Sequence, residues 1–133
     1  MKQLKQQYAC SLELAMDLVG GKWKLFLLWH LSSGTKRFCE LKRGMGDITQ
    51  KMLTLQLREL EQAGLVSRTV HPVVPPHVDY AMTERGRALV PALKELCAWS
   101  RAYAEEEGIA IVKPQPSAEA EDSPAMTDCS HGA

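Results

Sequence analysis

The chain has 133 residues, a formal net charge of zero, and 45% hydrophobic and 24% charged residues. These values are typical of one globular domain with a substantial core, and they exclude a strongly basic nucleic-acid-binding protein. No run of residues approaches the ~18 apolar positions of a membrane span. The start, MKQLKQQYAC, lacks the apolar stretch of a secretory signal. We therefore expect a cytoplasmic protein without a membrane partner.

The zero net charge conceals an uneven distribution. Residues 113–133 contain one base and four acids and carry a charge of −3, so the remaining body carries +3. Proline, serine, alanine and acids dominate this stretch, which predicts a disordered acidic tail. We divide the chain into an N-terminal arm (1–9), a main domain (10–112) and this tail. The mild basic bias of the body permits DNA binding without requiring it.

The first half of the main domain predicts three helices. The spacing of apolar residues indicates helices over residues 10–19 and 22–31, and the second is apolar enough to lie in the core. A pair of glycines separates them. A short third helix is expected over residues 38–43, followed by a turn over residues 44–47.

A fourth helix with clear ends is predicted to begin at Thr49 and to end at Gly64. The Thr49 side chain can accept a hydrogen bond from a free N–H of the first turn, and Gly64 can adopt the left-handed conformation that ends a helix. Leu53, Leu57 and Leu60 share one face, which must pack against other parts of the chain. Together with the third helix and the turn, this segment makes a helix-turn-helix.

The polar face of the fourth helix carries side chains that suit DNA contact. Glutamine and threonine can read base edges, and lysine and arginine can bind phosphates. The residues on this face are Gln50, Lys51, Thr54, Leu55 and Arg58. An ordinary amphipathic surface helix has the same pattern, so the helix alone does not establish DNA binding.

After the fourth helix, the hydrophobic period changes to that of strands. Apolar residues alternate in steps of two over residues 65–70 and 78–82, and the loop between them contains three prolines. A helix-turn-helix followed by a β-hairpin is a winged helix. The predicted fold class is therefore mainly α (α+β), a winged helix-turn-helix with a long C-terminal dimerisation helix.

The C-terminal helix is predicted to begin after Thr83, its cap, and to run to about Glu107 with a kink near Pro91. A winged helix of this size can be closed without so long a helix. Its apolar stripe, together with the first helix, is therefore the expected interface of a homodimer. The alternative is that the stripe packs on its own domain.

The sequence gives no indication of an enzyme, a cofactor or a metal site. The four histidines (His30, His71, His77 and His131) lie apart, and there is no HExxH motif, phosphate-binding glycine loop or triad order. No cysteine pair has CxxC spacing. Cys129 and His131 in the tail supply too few ligands to predict a metal site.

Several sequence blocks resemble the HxlR-type transcriptional regulators, which are relatives of the MarR winged-helix group. The blocks cover about residues 10 to 100, in the right order and with the right gaps. They are Cys10, Gly20-Gly21-Lys22-Trp23, Arg37-Phe38-x-Glu40-Leu41, Ile48-Thr49-x-Lys51-Met52-Leu53, Leu57-Arg58-Glu59-Leu60-Glu61, Gly64-Leu65-Val66-x-Arg68, Val74-Pro75-Pro76-His77-Val78-Asp79-Tyr80, Met82-Thr83, Gly86 and Pro91.

The resemblance implies a homodimeric bacterial regulator of transcription. It implies that the fourth helices of the two copies enter successive major grooves of operator DNA, with the wings against flanking backbone or minor groove. Repression is the expected effect, because binding over a promoter needs no surface that contacts polymerase. The alternative function is a winged helix used for protein contacts without specific DNA binding. His71 stands where the family usually has tyrosine, and His77 where it often has lysine or arginine, which weakens the expected contact between wing and phosphate.

The expected roles of the interface residues follow from their chemistry. Gln50 suits readout of a base edge, and Lys51 and Arg58 suit phosphate contact. An ion pair from Arg58 to Glu59 or Glu61 is the alternative. The complete set of predicted DNA-binding residues is Lys36 and Arg37 at the start of the third helix, Thr49, Gln50, Lys51, Thr54, Leu55, Arg58, Arg68 and His77.

Cys10 is the predicted redox-sensing residue. A thiol at the N-terminus of a helix lies at the positive end of the helix dipole among free N–H groups, which stabilise a thiolate, and Lys5 adds positive charge. Some HxlR-type proteins resemble redox or electrophile sensors through a cysteine at this position. The alternative is that Cys10 only caps the helix and packs.

Overall fold

The computed structural model describes residues 3–112, so the predicted tail, with Cys129 and His131, lies outside the described residues. Within this range the chain forms helices and one small antiparallel sheet. The elements in chain order are α1 (Ser11–Val19), α2 (Lys24–Leu31), β1 (Lys36–Arg37), α3 (Phe38–Met45), α4 (Gln50–Gln62), β2 (Val66–His71), β3 (His77–Met82), α5 (Glu84–Arg87) and α6 (Val90–Glu107).

The first three helices agree with the prediction except at their ends. Cys10 occupies the N-cap position of α1, but its side chain makes no capping hydrogen bond. α3 continues to Met45, so Gly44 and Met45, which were predicted in the turn, belong to the helix. Met45 is buried against the core, and this burial favours the two additional helical residues.

α4 is the predicted fourth helix. Thr49 Oγ1 accepts a hydrogen bond from the backbone N–H of Met52 at 3.0 Å, and Gly64 has a φ of +79°. Both predicted end signals are therefore confirmed. The buried stripe also agrees with the prediction and consists of Leu53, Leu57 and Leu60.

The sheet has the strand order β1-β3-β2, and both pairs are antiparallel. β2 and β3 form the predicted wing hairpin, in which Val66 pairs with Met82 and His71 with His77. β1 was not predicted, because two residues are too short a segment for a strand pattern and their partner strand lies far away in the chain.

The C-terminal segment is two helices instead of the predicted single kinked helix. Thr83 caps α5, its hydroxyl accepting a hydrogen bond from the N–H of Gly86 at 3.1 Å. Pro91 lies in the first turn of α6, where its missing N–H would have no helical partner in any case. Gly86 is required for packing, because a Cβ at this position would collide with the carbonyl oxygen of Leu65.

One hydrophobic core joins the helices to the sheet, and it includes the buried stripe of α4. A charged group lies beside it: Lys24 on α2 is 6% exposed, and its Nζ is 2.6 Å from Glu59 Oε1 on α4. This ion pair joins α4 to α2. None of the described helices is both long and apolar enough to cross a membrane.

Candidate nucleic-acid interface

The side of α4 opposite the buried leucines faces solvent. Gln50, Lys51 and Arg58 are exposed, and Leu55 is 38% exposed. Thr54 is half-buried, and its hydroxyl donates a hydrogen bond to the carbonyl oxygen of Gln50 at 2.9 Å. Its hydroxyl oxygen can still accept, and its methyl group suits apolar contact with thymine. Four of the five predicted side chains on this face are therefore exposed, and the fifth, Thr54, is half-buried.

The charge of Arg58 is not neutralised by its neighbours on the helix. Over residues 3–112, Arg58 forms no ion pair with Glu59 or Glu61. Glu59 is instead the buried partner of Lys24. The alternative in which Arg58 serves only a helix-surface ion pair is therefore not supported.

A groove beside α4 brings a second arginine to this surface. Arg68 lies on β2 opposite Tyr80 of β3, and its side chain is exposed. A polyanion following the groove would meet positive charge from two separate elements, α4 and β2, and one carboxylate, that of Glu61. The residues that line the groove are Thr54, Leu57, Arg58, Glu61, Arg68 and Tyr80.

Lys36 and Arg37 were predicted at the start of α3, but they form β1. Arg37 Nε is 3.9 Å from Asp79 Oδ1, so part of its charge is already compensated. Lys36 makes no ion pair within the described range. Burial lowers the pKa of His30 on α2, and the positive charge of Lys36 lowers it further. Because Arg37 is already paired with Asp79 and Lys36 makes no such ion pair within the described range, Lys36 is the more available of the two for phosphate contact.

The wing places two histidines together. His71 and His77 pair across the hairpin, and their rings stack with centroids 4.6 Å apart. The expectation that the histidines lie apart is therefore wrong for this pair, because the antiparallel register brings the two ends of the loop into contact. His71 Nε2 is 2.8 Å from Asp79 Oδ2. His77 is half-buried by this arrangement, which reduces the surface it offers to DNA.

Cys10 is an exposed free thiol at the start of α1. Lys5, which was expected to add positive charge near this thiol, has its Nζ 3.0 Å from Glu13 Oε2 and forms an exposed ion pair there. The arm is joined to α1 by the Tyr8 hydroxyl, which donates a hydrogen bond to Asp17 Oδ2 at 2.7 Å and whose pKa this bond raises. Cys10 neither caps the helix through its side chain nor packs in the core.

Two groups of residues that support the interface were not predicted from the sequence. One is the buried pair of Lys24 and Glu59, for which a lysine within a mostly apolar helix was the available signal. The other is the contact of Asp79 with both Arg37 and His71. No local pattern indicates this contact, since it depends on the pairing of three strands.

Comparison with known proteins agrees with this architecture. Residues 18–108 match a family described as HxlR-like helix-turn-helix. The HTH-type transcriptional regulator YkvN of Bacillus subtilis is 50% identical over 102 residues, which are 77% of this chain and 86% of YkvN. The oxidised form of the redox regulator HypR has a TM-score of 0.67 and 48% identity, covering 70% of this chain and 96% of HypR.

A further solved relative is the transcriptional regulator YodB of Bacillus subtilis. Its reduced form has a TM-score of 0.66 and 37% identity, covering 75% of this chain and 98% of YodB. YodB has also been solved with a bound quinone. The resemblance seen in the sequence is therefore confirmed, and the chain belongs to the HxlR-like helix-turn-helix family of transcriptional regulators.

Proposed function

We propose that this regulator binds operator DNA of a defined sequence as a homodimer and represses transcription. The observation that carries the proposal is the face of α4, on which Gln50, Lys51 and Arg58 are exposed and form no ion pair within the described residues. In winged helices of this kind, the second helix of the helix-turn-helix enters the major groove. Gln50 would read a base edge, while Lys51 and Arg58 would hold phosphates.

A second copy of the chain is the partner that the apolar surface supports. On α6, Leu96 is 49% exposed and Trp99 is 66% exposed, and the Trp99 ring stacks on Tyr103. Leu12 and Met16 of α1 are also exposed. Large exposed apolar side chains on the two helices predicted to dimerise favour that interface over packing within one domain. A twofold dimer would present two α4 helices to half-sites about one helical turn (~34 Å), or a multiple of it, apart.

Repression follows from occupancy of the operator. A dimer that covers two half-sites competes with polymerase by position alone and needs no activating surface. The relatives YkvN and YodB come from a bacterium, and we place this regulator in the bacterial cytoplasm, where operator DNA is accessible.

Cys10 is the proposed switch. Its thiol is exposed at the N-terminus of α1, a helix of the proposed dimer interface. The thiolate sulfur attacks one oxygen of hydrogen peroxide: an S–O bond forms, the O–O bond breaks, and the other oxygen leaves as water, so the sulfur loses two electrons and each peroxide oxygen gains one. The structural relatives include a redox regulator in oxidised form and a quinone-bound regulator, so oxidation and electrophile addition are both supported. Modification at this point would change how the two copies pack.

Selection from a pool of random duplex DNA tests the central proposal without knowledge of the operator. The full chain is expected to enrich an inverted repeat, and its affinity for that duplex should fall steeply between 50 and 200 mM salt, by roughly 10³-fold or more if six or more phosphates are contacted. Enrichment of no sequence, together with salt-independent binding, would instead support a protein-interaction module.

Oxidation of the selected complex tests the switch. With the enriched duplex, hydrogen peroxide is expected to lower the affinity of the wild type by about tenfold, a typical magnitude for coupling between two sites. Cys10→Ser should be insensitive. Cys97→Ser is the matched control, because Cys97 is a free but half-buried thiol on α6 and should leave the response unchanged. Equal sensitivity of the wild type and Cys10→Ser would remove Cys10 from the mechanism.

A further inference from the structure

A group of possible metal ligands lies on the outer face of the wing. His71, His77 and Asp79 each offer a ligand atom, and these atoms all lie within 4.8 Å of one another; no other three His, Cys, Asp or Glu side chains in residues 3–112 do so. His71 pairs with His77 across the hairpin, and Asp79 follows two residues along β3. Since side chains alternate between faces, this group lies on the face opposite Arg68 and Tyr80.

We propose that these three side chains bind one divalent transition-metal ion of the Zn²⁺ type. Two imidazoles and one carboxylate suit Zn²⁺ and similar cations, whereas Mg²⁺ and Ca²⁺ prefer oxygen ligands alone. With Zn²⁺ at about 2.0–2.2 Å from each ligand, neighbouring ligand atoms are roughly 3.4 Å apart. The observed separations therefore require shifts of only about 1 Å, which side-chain rotation can supply.

The two oxygens of Asp79 have separate partners, and this arrangement fits a bound cation. Oδ2 lies 2.8 Å from His71 Nε2, whereas Oδ1 lies 3.9 Å from Arg37 Nε on β1. An ion between His71 and Asp79 would replace the hydrogen bond on the Oδ2 side. Arg37 would remain on Oδ1 as an outer partner that orients the carboxylate. The positive charge of the Arg37 guanidinium would repel the ion, and the third ligand, His77, would add a bond that counteracts this repulsion.

The position is accessible and has room for a fourth ligand. The side chain of His71 is 40% exposed and that of Asp79 is 26% exposed. An ion can therefore enter from solvent, and a water molecule can complete a tetrahedral site.

An ion at this point would join the last residue of β2 to the first residue of β3. These residues flank the proline-rich loop 72–76, so the ion would hold the two ends of that loop together near the tip of the wing and add positive charge there. An effect of the ion on DNA affinity rests on the proposed function. Binding of the ion itself does not rest on it, and the two are measured separately.

Calorimetric titration of the full chain with Zn²⁺, in reducing buffer without chelator, tests the site. The wild type is expected to bind one ion per chain at the wing. His71→Phe keeps an aromatic ring but removes the ligand nitrogen, and His77→Gln and Asp79→Asn remove the other two ligands. Each is expected to weaken binding at least tenfold. Circular dichroism melting of each variant establishes that it is folded.

Two controls exclude other sites on the chain. His131→Ala and Cys10→Ser should bind Zn²⁺ as the wild type does. Co²⁺ in place of Zn²⁺ should give visible absorption without the intense near-ultraviolet band of thiolate ligation. Absence of Zn²⁺ binding, retention of it in all three wing variants, or a thiolate band would overturn the proposal. Gel shift on the selected duplex with and without Zn²⁺ then measures the coupling, and a failure there alone leaves the metal site intact.

Discussion

Replacing Lys24 with methionine is expected to lower the free energy of unfolding by about 3 kcal/mol, although the two side chains are similar in volume. The Lys24 side chain is 8% exposed, and its Nζ lies 2.6 Å from Glu59 Oε1. The substitution leaves the Glu59 carboxylate, which is only 18% exposed, without its cation. An unpaired charge in a poorly hydrated position is destabilising by several kcal/mol.

Urea denaturation at a fixed protein concentration measures this effect, since a dimer would make the stability depend on concentration. Lys5→Met is the matched control: it breaks the Lys5–Glu13 ion pair, which lies at the surface, and should cost less than about 1 kcal/mol. The double variant Lys24→Met/Glu59→Leu should recover most of the loss, because buried pairs are often replaced by apolar residues at little cost. A Lys24→Met variant as stable as Lys5→Met would contradict the assigned role of the pair.

Lys51→Ala and Gln50→Ala are expected to affect DNA binding in different ways. Lys51→Ala should weaken binding to all duplexes alike, and it should make the slope of log affinity against log salt less negative by about 2 for a dimer, one phosphate contact per copy. Gln50→Ala should remove about 1–3 kcal/mol of discrimination at one base position of each half-site. Neither change should unfold α4, since both residues are exposed and alanine favours helix.

Fluorescence anisotropy over a salt series, on the selected duplex and on variants with single base changes, distinguishes the two effects. Lys22→Ala is the control, because Lys22 is an exposed lysine outside α4 and next to Trp23. Its salt slope should equal that of the wild type. If Lys51→Ala and Gln50→Ala both bind as the wild type does, α4 is not the helix that contacts DNA.

The sequence was sufficient for α4 because all its signals are local. Thr49 marks the start of the helix because its hydroxyl can accept a hydrogen bond from a free backbone N–H of the first turn. Gly64 marks the end because glycine readily adopts a positive φ. The buried leucines repeat at helical spacing and therefore define a face before any partner is known. The same holds for the alternation in β2 and β3 and for the prolines between them, so the wing could also be predicted.

The error at the C-terminal helix has a different origin. Proline is compatible both with a kink within one helix and with the first turn of a new helix. Pro91 by itself therefore does not indicate which of the two occurs. The choice was made by packing, because Gly86 of α5 lies against the carbonyl of Leu65. Such a contact between distant segments has no counterpart in local spacing.

The sequence by itself determined the helix-turn-helix, the wing and the polar face of α4, because helix caps, side-chain periodicity and proline geometry act between residues close in the chain. Only the tertiary structure decided that Lys24 is the buried partner of Glu59, that Arg68 joins Arg58 beside α4, and that His71, His77 and Asp79 form one group. These arrangements depend on which elements pack and in what strand register. Short-range preferences do not encode these choices, and burial and pairing across the whole domain select them.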